Sequence, residues 1–265
     1  MNLLRFAAED GPHIAIAPDT LFTIGGFPIT NSMLYGWLCA ILLIWVFIAA
    51  RKRIKLGGTK GPAALVEAGV EFIINLLQQT LGDRRKALQY GPIFVTLFFF
   101  IMLNNWLGLL PGIGPAIEYN GTPLLRAFTA DLNATFAMAL FGMILVQVIA
   151  IRESGPKNHL KHYFPMSPLN PLTYLVGAFE IFTELTRLIS LGLRLFLNIA
   201  IGEVLISVAS FLGGPAASLA SLPFTLLEIF VGALQAYIFV VLCAAYLSAT
   251  TTAHGGDEHE EAPQV

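Results

Sequence analysis

Charge is scarce in this chain. Asp, Glu, Lys and Arg make up 12% of its 265 residues, about half the share of an ordinary soluble domain, and that shortage excludes a single water-exposed core of this length. Cysteine is nearly absent: Cys39 and Cys243 each lie inside an apolar run, too isolated for a metal-site pattern or a disulfide framework, and read as small buried hydrophobes. Also missing are a phosphate-cradling glycine loop and a nucleophile paired with a base. The histidines fall near the N-terminus (His13), in a basic loop (His159, His162) and near the C-terminus (His254, His259), where a solvated imidazole is the default. These absences argue against bond chemistry on this chain, and no cofactor, metal or nucleic-acid partner is expected. Residues 1–31 lack a basic stretch followed by a short apolar one, so the first hydrophobic block reads as a retained membrane helix, not a cleaved signal.

What the chain has instead is apolar length. Hydrophobic residues make up 56% of it and recur in blocks long enough to cross a bilayer, at Met33–Ala50, Pro92–Pro111, Leu132–Ile151, Leu169–Leu212 and Leu222–Ala249. Pro62–Leu81 differs. It spaces Leu65, Val66, Val70, Ile73, Ile74, Leu77 and Leu81 helically, with Glu67, Glu71, Gln78 and Gln79 elsewhere, the pattern of an amphipathic interfacial packing helix. Arg51, Lys52, Arg53 and Lys55 follow the first span, Arg84, Arg85 and Lys86 precede the second, and the stretch from Arg152 to Lys161 is again basic. Positive charge marks the cytoplasmic side, which implies five crossings, the N-terminus outside and the C-terminus inside. The fold class is therefore all-α and membrane-integral. Residues 1–32 form a non-cytoplasmic segment, 33–250 one helical membrane domain, and 251–265 an acidic disordered cytoplasmic tail.

Within the long fourth span lies Arg194, whose guanidinium costs about 2.5–3.5 kcal/mol at a helix centre and so marks an ion pathway, a counter-ion or a partner charge. At 100° per residue Glu180, Glu184, Arg187, Arg194 and Asn198 fall within about 80° of one another, and Glu203 lies roughly opposite Arg194. Arg187 is the nearest local partner for the two acids. In the last span Glu228, Gln235 and Tyr246 share a face. The two spans form a hairpin turning near Gly213-Gly214-Pro215, which sets Glu203 level with Glu228 and Arg194 level with Gln235. Two carboxylates at one depth repel each other and can share a proton; hydrogen bonding as a structural pair is the alternative.

The runs Ser190-Leu-Gly-Leu-Arg194-Leu-Phe-Leu-Asn198 and Gly202-Glu203, Leu234-Gln235-Ala-Tyr-Ile-Phe-Val, Thr129-Ala-Asp131-Leu-Asn133-Ala-Thr, Asn105-Trp-Leu-Gly-Leu-Leu-Pro111 and Ile29-Thr-Asn-Ser32 resemble subunit a of the rotary ATP synthases, bacterial type. The resemblance runs from about His13 to Ser248. It implies a membrane stator with two unconnected proton half-channels, facing a rotating ring of c subunits and associated with peripheral-stalk b subunits, the rest of the ATP synthase and membrane lipid. It further implies that Arg194 favours ionised ring carboxylates and blocks a short circuit, that Asn198, Glu203, Glu228 and Gln235 serve the non-cytoplasmic half-channel, and that Glu180 and Glu184 serve the cytoplasmic one. Asp131, Asn133 and Arg126 either hydrate the outer end or cap a loop.

The chain departs from the family pattern in having glutamate at both 203 and 228, where many members pair a histidine with a glutamate. It also has Asn104 and Asn105 in the region where the family usually places an acid. An ion-coupled secondary transporter is the competing reading, but an odd number of crossings and no evident internal repeat argue against it. A purely structural subunit would leave the polar stripe unexplained. Proton is preferred over sodium as coupling ion, and a bacterial inner membrane as the location.

Overall fold

A computed structural model describes residues 20–24, 26–53, 61–109, 118–119, 122–123, 126–155 and 171–252. All five histidines, Lys55, the basic loop beyond Gly155 and the acidic tail lie outside the described residues. A short antiparallel hairpin, β1 (Thr20–Ile24) with β2 (Phe27–Thr30), leads directly into α1 (Asn31–Arg51). Next come α2 (Pro62–Leu81) and α3 (Arg84–Gly108), a two-residue pairing of β3 (Glu118–Tyr119) with β4 (Thr122–Pro123), and a 3-10 turn at Phe128–Ala130. Helix α4 (Leu132–Ser154), the long α5 (Pro171–Gly213) and α6 (Ala217–Thr252) complete the chain, with a 3-10 turn at Gly214–Ala216 joining the last two. The small strands add to the all-helical expectation without altering the bundle.

Among the described residues, four stretches are apolar and long enough to cross a membrane: Asn31–Arg51, Arg84–Gly108, Leu132–Glu153 and Gly177–Ala249. The last contains both α5 and α6, which pack along each other more extensively than any other helix pair. Helix boundaries follow local chemistry more than hydropathy. Helix α3 starts eight residues before the expected Pro92, because Asp83 caps it by accepting from the Arg85 amide at 2.8 Å. The helix then continues through Pro92. Proline forfeits the ladder bond to the Leu88 carbonyl there, and one turn on Thr96 Oγ1 donates to the Pro92 carbonyl at 2.7 Å. Likewise α6 begins at Ala217 and runs through Pro223, five residues before the expected start at Leu222.

Between apolar helices in lipid there is no hydrophobic gain from mutual burial, so association rests on close packing and interhelical hydrogen bonds. The interfaces show both. A β-carbon at Gly36 would collide with the Phe128 ring, and one at Gly142 would sit 3.0 Å from the Phe239 ring. Helix α2 packs by its Ile73 and Leu77 face, both wholly buried with Phe94 and Ile101 of α3, while Leu65, Glu67, Glu71 and Phe72 remain exposed. Ile73 and Leu77 lie on the apolar face the spacing predicts, whereas Leu65, expected on the same face, is exposed near the start of the helix.

The first two residues of one expected family motif, Asn105 and Trp106, are structural ties. Asn105 Nδ2 donates to the Gly232 carbonyl at 3.0 Å, and Trp106 Nε1 to the Ile229 carbonyl at 2.9 Å, so α3 grips the backbone of α6. Asn104 stays on its own side, donating to Phe100 O and accepting from the Tyr35 hydroxyl through its backbone carbonyl.

Candidate functional site

Helices α5 and α6 run antiparallel in the register the sequence implies. Gly202 meets Glu228, Arg194 and Gln235 line one groove, and Glu184 and Arg187 meet Tyr246. Three polar groupings follow one another along this seam. At 1.5 Å per residue, Glu184, Arg194 and Glu203 are separated by about 15 Å and about 14 Å along α5.

Arg194 occupies the middle. It is exposed, and its groove of about 480 Å³ is lined by Ser190, Leu193, Leu197, Asn198, Ile201 and Gln235. Its one hydrogen bond among the described residues is a long 3.4 Å contact to Ser190 Oγ. A guanidinium has five donors, so most of this cation's capacity points away from its own chain. The groove floor is polar: Gln235 is only 4% exposed, and Gln235 Nε2 and Asn198 Nδ2 are buried without a partner among the described residues. Each such amide costs about 1–3 kcal/mol if nothing satisfies it.

At one end sit the two carboxylates. Glu228 is 6% exposed, with its Oε1 buried and unpartnered, and its carboxyl group lies against the bare α-carbon of Gly202. Glu203 interacts electrostatically with Glu228 and with Arg126. No hydrogen bond joins the two carboxyl groups among the described residues. Asp131 is accounted for as a cap: it receives the Asn133 amide at 3.0 Å and the Ser32 hydroxyl at 2.7 Å, both buried or partly buried. Asn133 itself is exposed. Arg126 Nη2 donates to the Ala130 carbonyl at 3.3 Å, which holds it over the same end.

The other end is a three-helix cluster. Gln147 Nε2 of α4 donates to Glu184 Oε1 at 2.6 Å and lies 2.6 Å from the Tyr246 hydroxyl, which itself donates to the same Glu184 oxygen. Among the described residues no ion pair joins Arg187 to Glu180 or Glu184, the acids for which it is the nearest local partner. Its guanidinium lies 4.2 Å from the centre of the Tyr246 ring, a cation–π contact that keeps charge at the seam without carboxylate neutralisation. Glu180, one turn away, is half-buried and also engaged. Gln147 was not singled out by sequence reasoning. A lone glutamine in an apolar span, level with the acids of α5 in a hairpin-packed bundle, was the available signal.

The stripe expected on α5 therefore does not face one way: Glu184 is bonded to residues of α4 and α6, whereas Arg194 opens outward onto its groove.

The family model for the ATP synthase A chain matches residues 33–248. The chain is 32% identical to "ATP synthase subunit a" of Moorella thermoacetica across 88% of its own length and 96% of that protein. It is also 32% identical to "ATP synthase subunit a" of Aeromonas salmonicida, over 84% of this chain and 88% of the relative. A third "ATP synthase subunit a", from Anaeromyxobacter dehalogenans, is 32% identical over 88% of this chain and 60% of its own longer sequence. With its hairpin register and its embedded arginine inside the matched region and its spans almost wholly so, this chain belongs to the ATP synthase A chain family.

Proposed function

We propose that this chain is the proton-conducting membrane stator of an ATP synthase, and that protons reach and leave a partner ring of c subunits through two separate half-channels. The observation that supports this most is the spacing along α5: two acidic groupings about 14–15 Å from a central cation, with Arg194 opening onto a groove between them. A continuous polar path would leak. An always-charged guanidinium repels a proton and attracts a carboxylate, so it divides the path and selects the ionised form of any acid brought before it.

In this reading Asn198, Glu203, Glu228 and Gln235 serve the non-cytoplasmic half-channel, and the unpaired buried atoms of Asn198, Glu228 and Gln235 are those that a file of water would satisfy. Glu180 and Glu184 serve the cytoplasmic one. The chain crosses the bilayer five times within residues 33–250, with residues 1–32 outside and 251–265 inside. Its membrane is a bacterial inner membrane, peripheral-stalk b subunits are further neighbours, and the coupling ion is the proton. ATP chemistry belongs to other subunits.

The test is proton-driven ATP synthesis and passive proton leak in vesicles carrying the whole complex with Arg194→Ala, with assembly checked in parallel. Synthesis should vanish while the complex assembles and leak rises. Normal synthesis in that variant would make Arg194 structural and overturn the reading.

A further inference from the structure

Where α1 ends and α3 begins, a concavity of about 500 Å³ opens between α1, α2 and α3, with no lining residue from α5 or α6. Its lining carries two charges of each sign. Arg51 comes from the last turn of α1 and Arg84 from the first turn of α3, while Glu67 and Glu71, one turn apart, come from α2. Phe47 and Val70 belong to its apolar lining. All four charged residues are exposed, and among the described residues no ion pair joins either guanidinium to either carboxylate. Arg84 makes only a 3.3 Å bond to Gln78 Oε1.

This combination selects against simple ions. An anion gains from the arginines and loses to the glutamates, and a cation does the reverse. The ligand that answers all four charges is a zwitterion with a phosphate for the guanidinium forks and a hydrogen-bonding ammonium for the carboxylates. An apolar body would cover Phe47 and Val70. The volume is within the range of small-molecule sites. The site also lies beside the basic ends of two candidate spans, Arg51 to Arg53 and Arg84 to Lys86, the level at which headgroups sit. We propose that this three-helix concavity is a retention site for a phospholipid with a phosphoethanolamine headgroup, held by Arg51 and Arg84 through phosphate and by Glu67 and Glu71 through the ammonium.

The experiment exchanges the intact complex into nanodiscs of phosphatidylethanolamine, phosphatidylcholine and phosphatidylglycerol in equal parts. Lipids retained on this chain after solubilisation are then counted by native mass spectrometry. The ethanolamine lipid should be enriched about tenfold over the choline lipid, whose quaternary ammonium has no N–H to donate. Glu67→Gln with Glu71→Gln should abolish that preference, and Arg51→Gln with Arg84→Gln should reduce retention of every phospholipid. Soluble glycerophosphoethanolamine should displace the lipid at least tenfold less well than intact lipid does, because it cannot use the apolar lining. Equal retention of the three lipids, a preference for the glycerol lipid, an ethanolamine preference that survives the glutamate substitutions, or equally effective displacement by the soluble headgroup would overturn the proposal.

Discussion

Gly202 faces the Glu228 carboxyl group with no room for a β-carbon, so an acid on one helix is seated against the bare backbone of another. Gly202→Ala should therefore push Glu228 from its position. Overpacking of this kind costs about 1–3 kcal/mol, and proton-driven synthesis should fall severalfold with a lower thermal midpoint of the complex. Shortening the opposing side chain restores the room, so adding Glu228→Asp to Gly202→Ala should recover part of the thermal loss, measured as a double-mutant cycle. Additive losses would mean that the glycine matters for something other than this contact. Arg194, Asn198, Glu203, Glu228 and Gln235 were all visible in the sequence, because each is a polar residue whose neighbours are Leu, Ile, Phe and Val. Gly202 was readable only as a motif letter: what it accommodates depends on the depth of a side chain 26 positions away in an antiparallel partner.

The helices carry information that hydropathy alone misses. Spans were legible because each apolar block is long enough to cross a bilayer, yet their ends were not, since Asp83 starts α3 and the helices continue through Pro92 and Pro223. The direction of the α5 stripe was also illegible. A helical wheel treats all radial directions alike, whereas packing against α4 and α6 makes Glu184 an inward residue and Arg194 an outward one. At this scale the cluster of Gln147, Glu184 and Tyr246 bonds α4, α5 and α6 together. Tyr246→Phe keeps the ring beneath Arg187 but deletes the hydroxyl that donates to Glu184. A hydrogen bond to a charged group is worth about 1.5–3 kcal/mol, so this variant should lower the thermal midpoint and slow proton-driven synthesis. Tyr246→Leu, which also removes the cation–π contact, should do more. Identical behaviour of the two variants would show that the ring contact with Arg187 contributes nothing, and wild-type behaviour of Tyr246→Phe that the hydroxyl contributes nothing.

For the whole molecule the proposed topology makes a direct claim about sides. Single cysteines placed at Lys52, Arg85 and Arg152, in a background lacking Cys39 and Cys243, should react with an impermeant maleimide only from the cytoplasmic face. Cysteines at Thr23 and Ala216 should react only from the opposite face. Labelling of residue 216 from the cytoplasmic side would reduce the count below five crossings. The two native thiols are free and buried, so their removal is expected to leave a small packing deficit and no loss of a covalent link. Family membership was legible from motif residues spread along the chain. The concavity between α1, α2 and α3 was not, because its four charges come from three helices and read in sequence as ordinary flanking charge.

The outer face of α5 around Arg194 is a ridge of Leu193, Leu197, Ile201 and Leu205, all exposed. Dispersion contacts between such side chains are weak, about 0.1–0.2 kcal/mol per atom pair, and have no preferred direction. They can be broken and remade in many alignments at nearly the same energy. A neighbour sliding across this ridge would therefore meet little friction anywhere except at one place, the single guanidinium, where attraction is both strong and directional. The face has the mechanical character of an oiled bearing with one detent, and its stiffness at that detent would be set by charge alone.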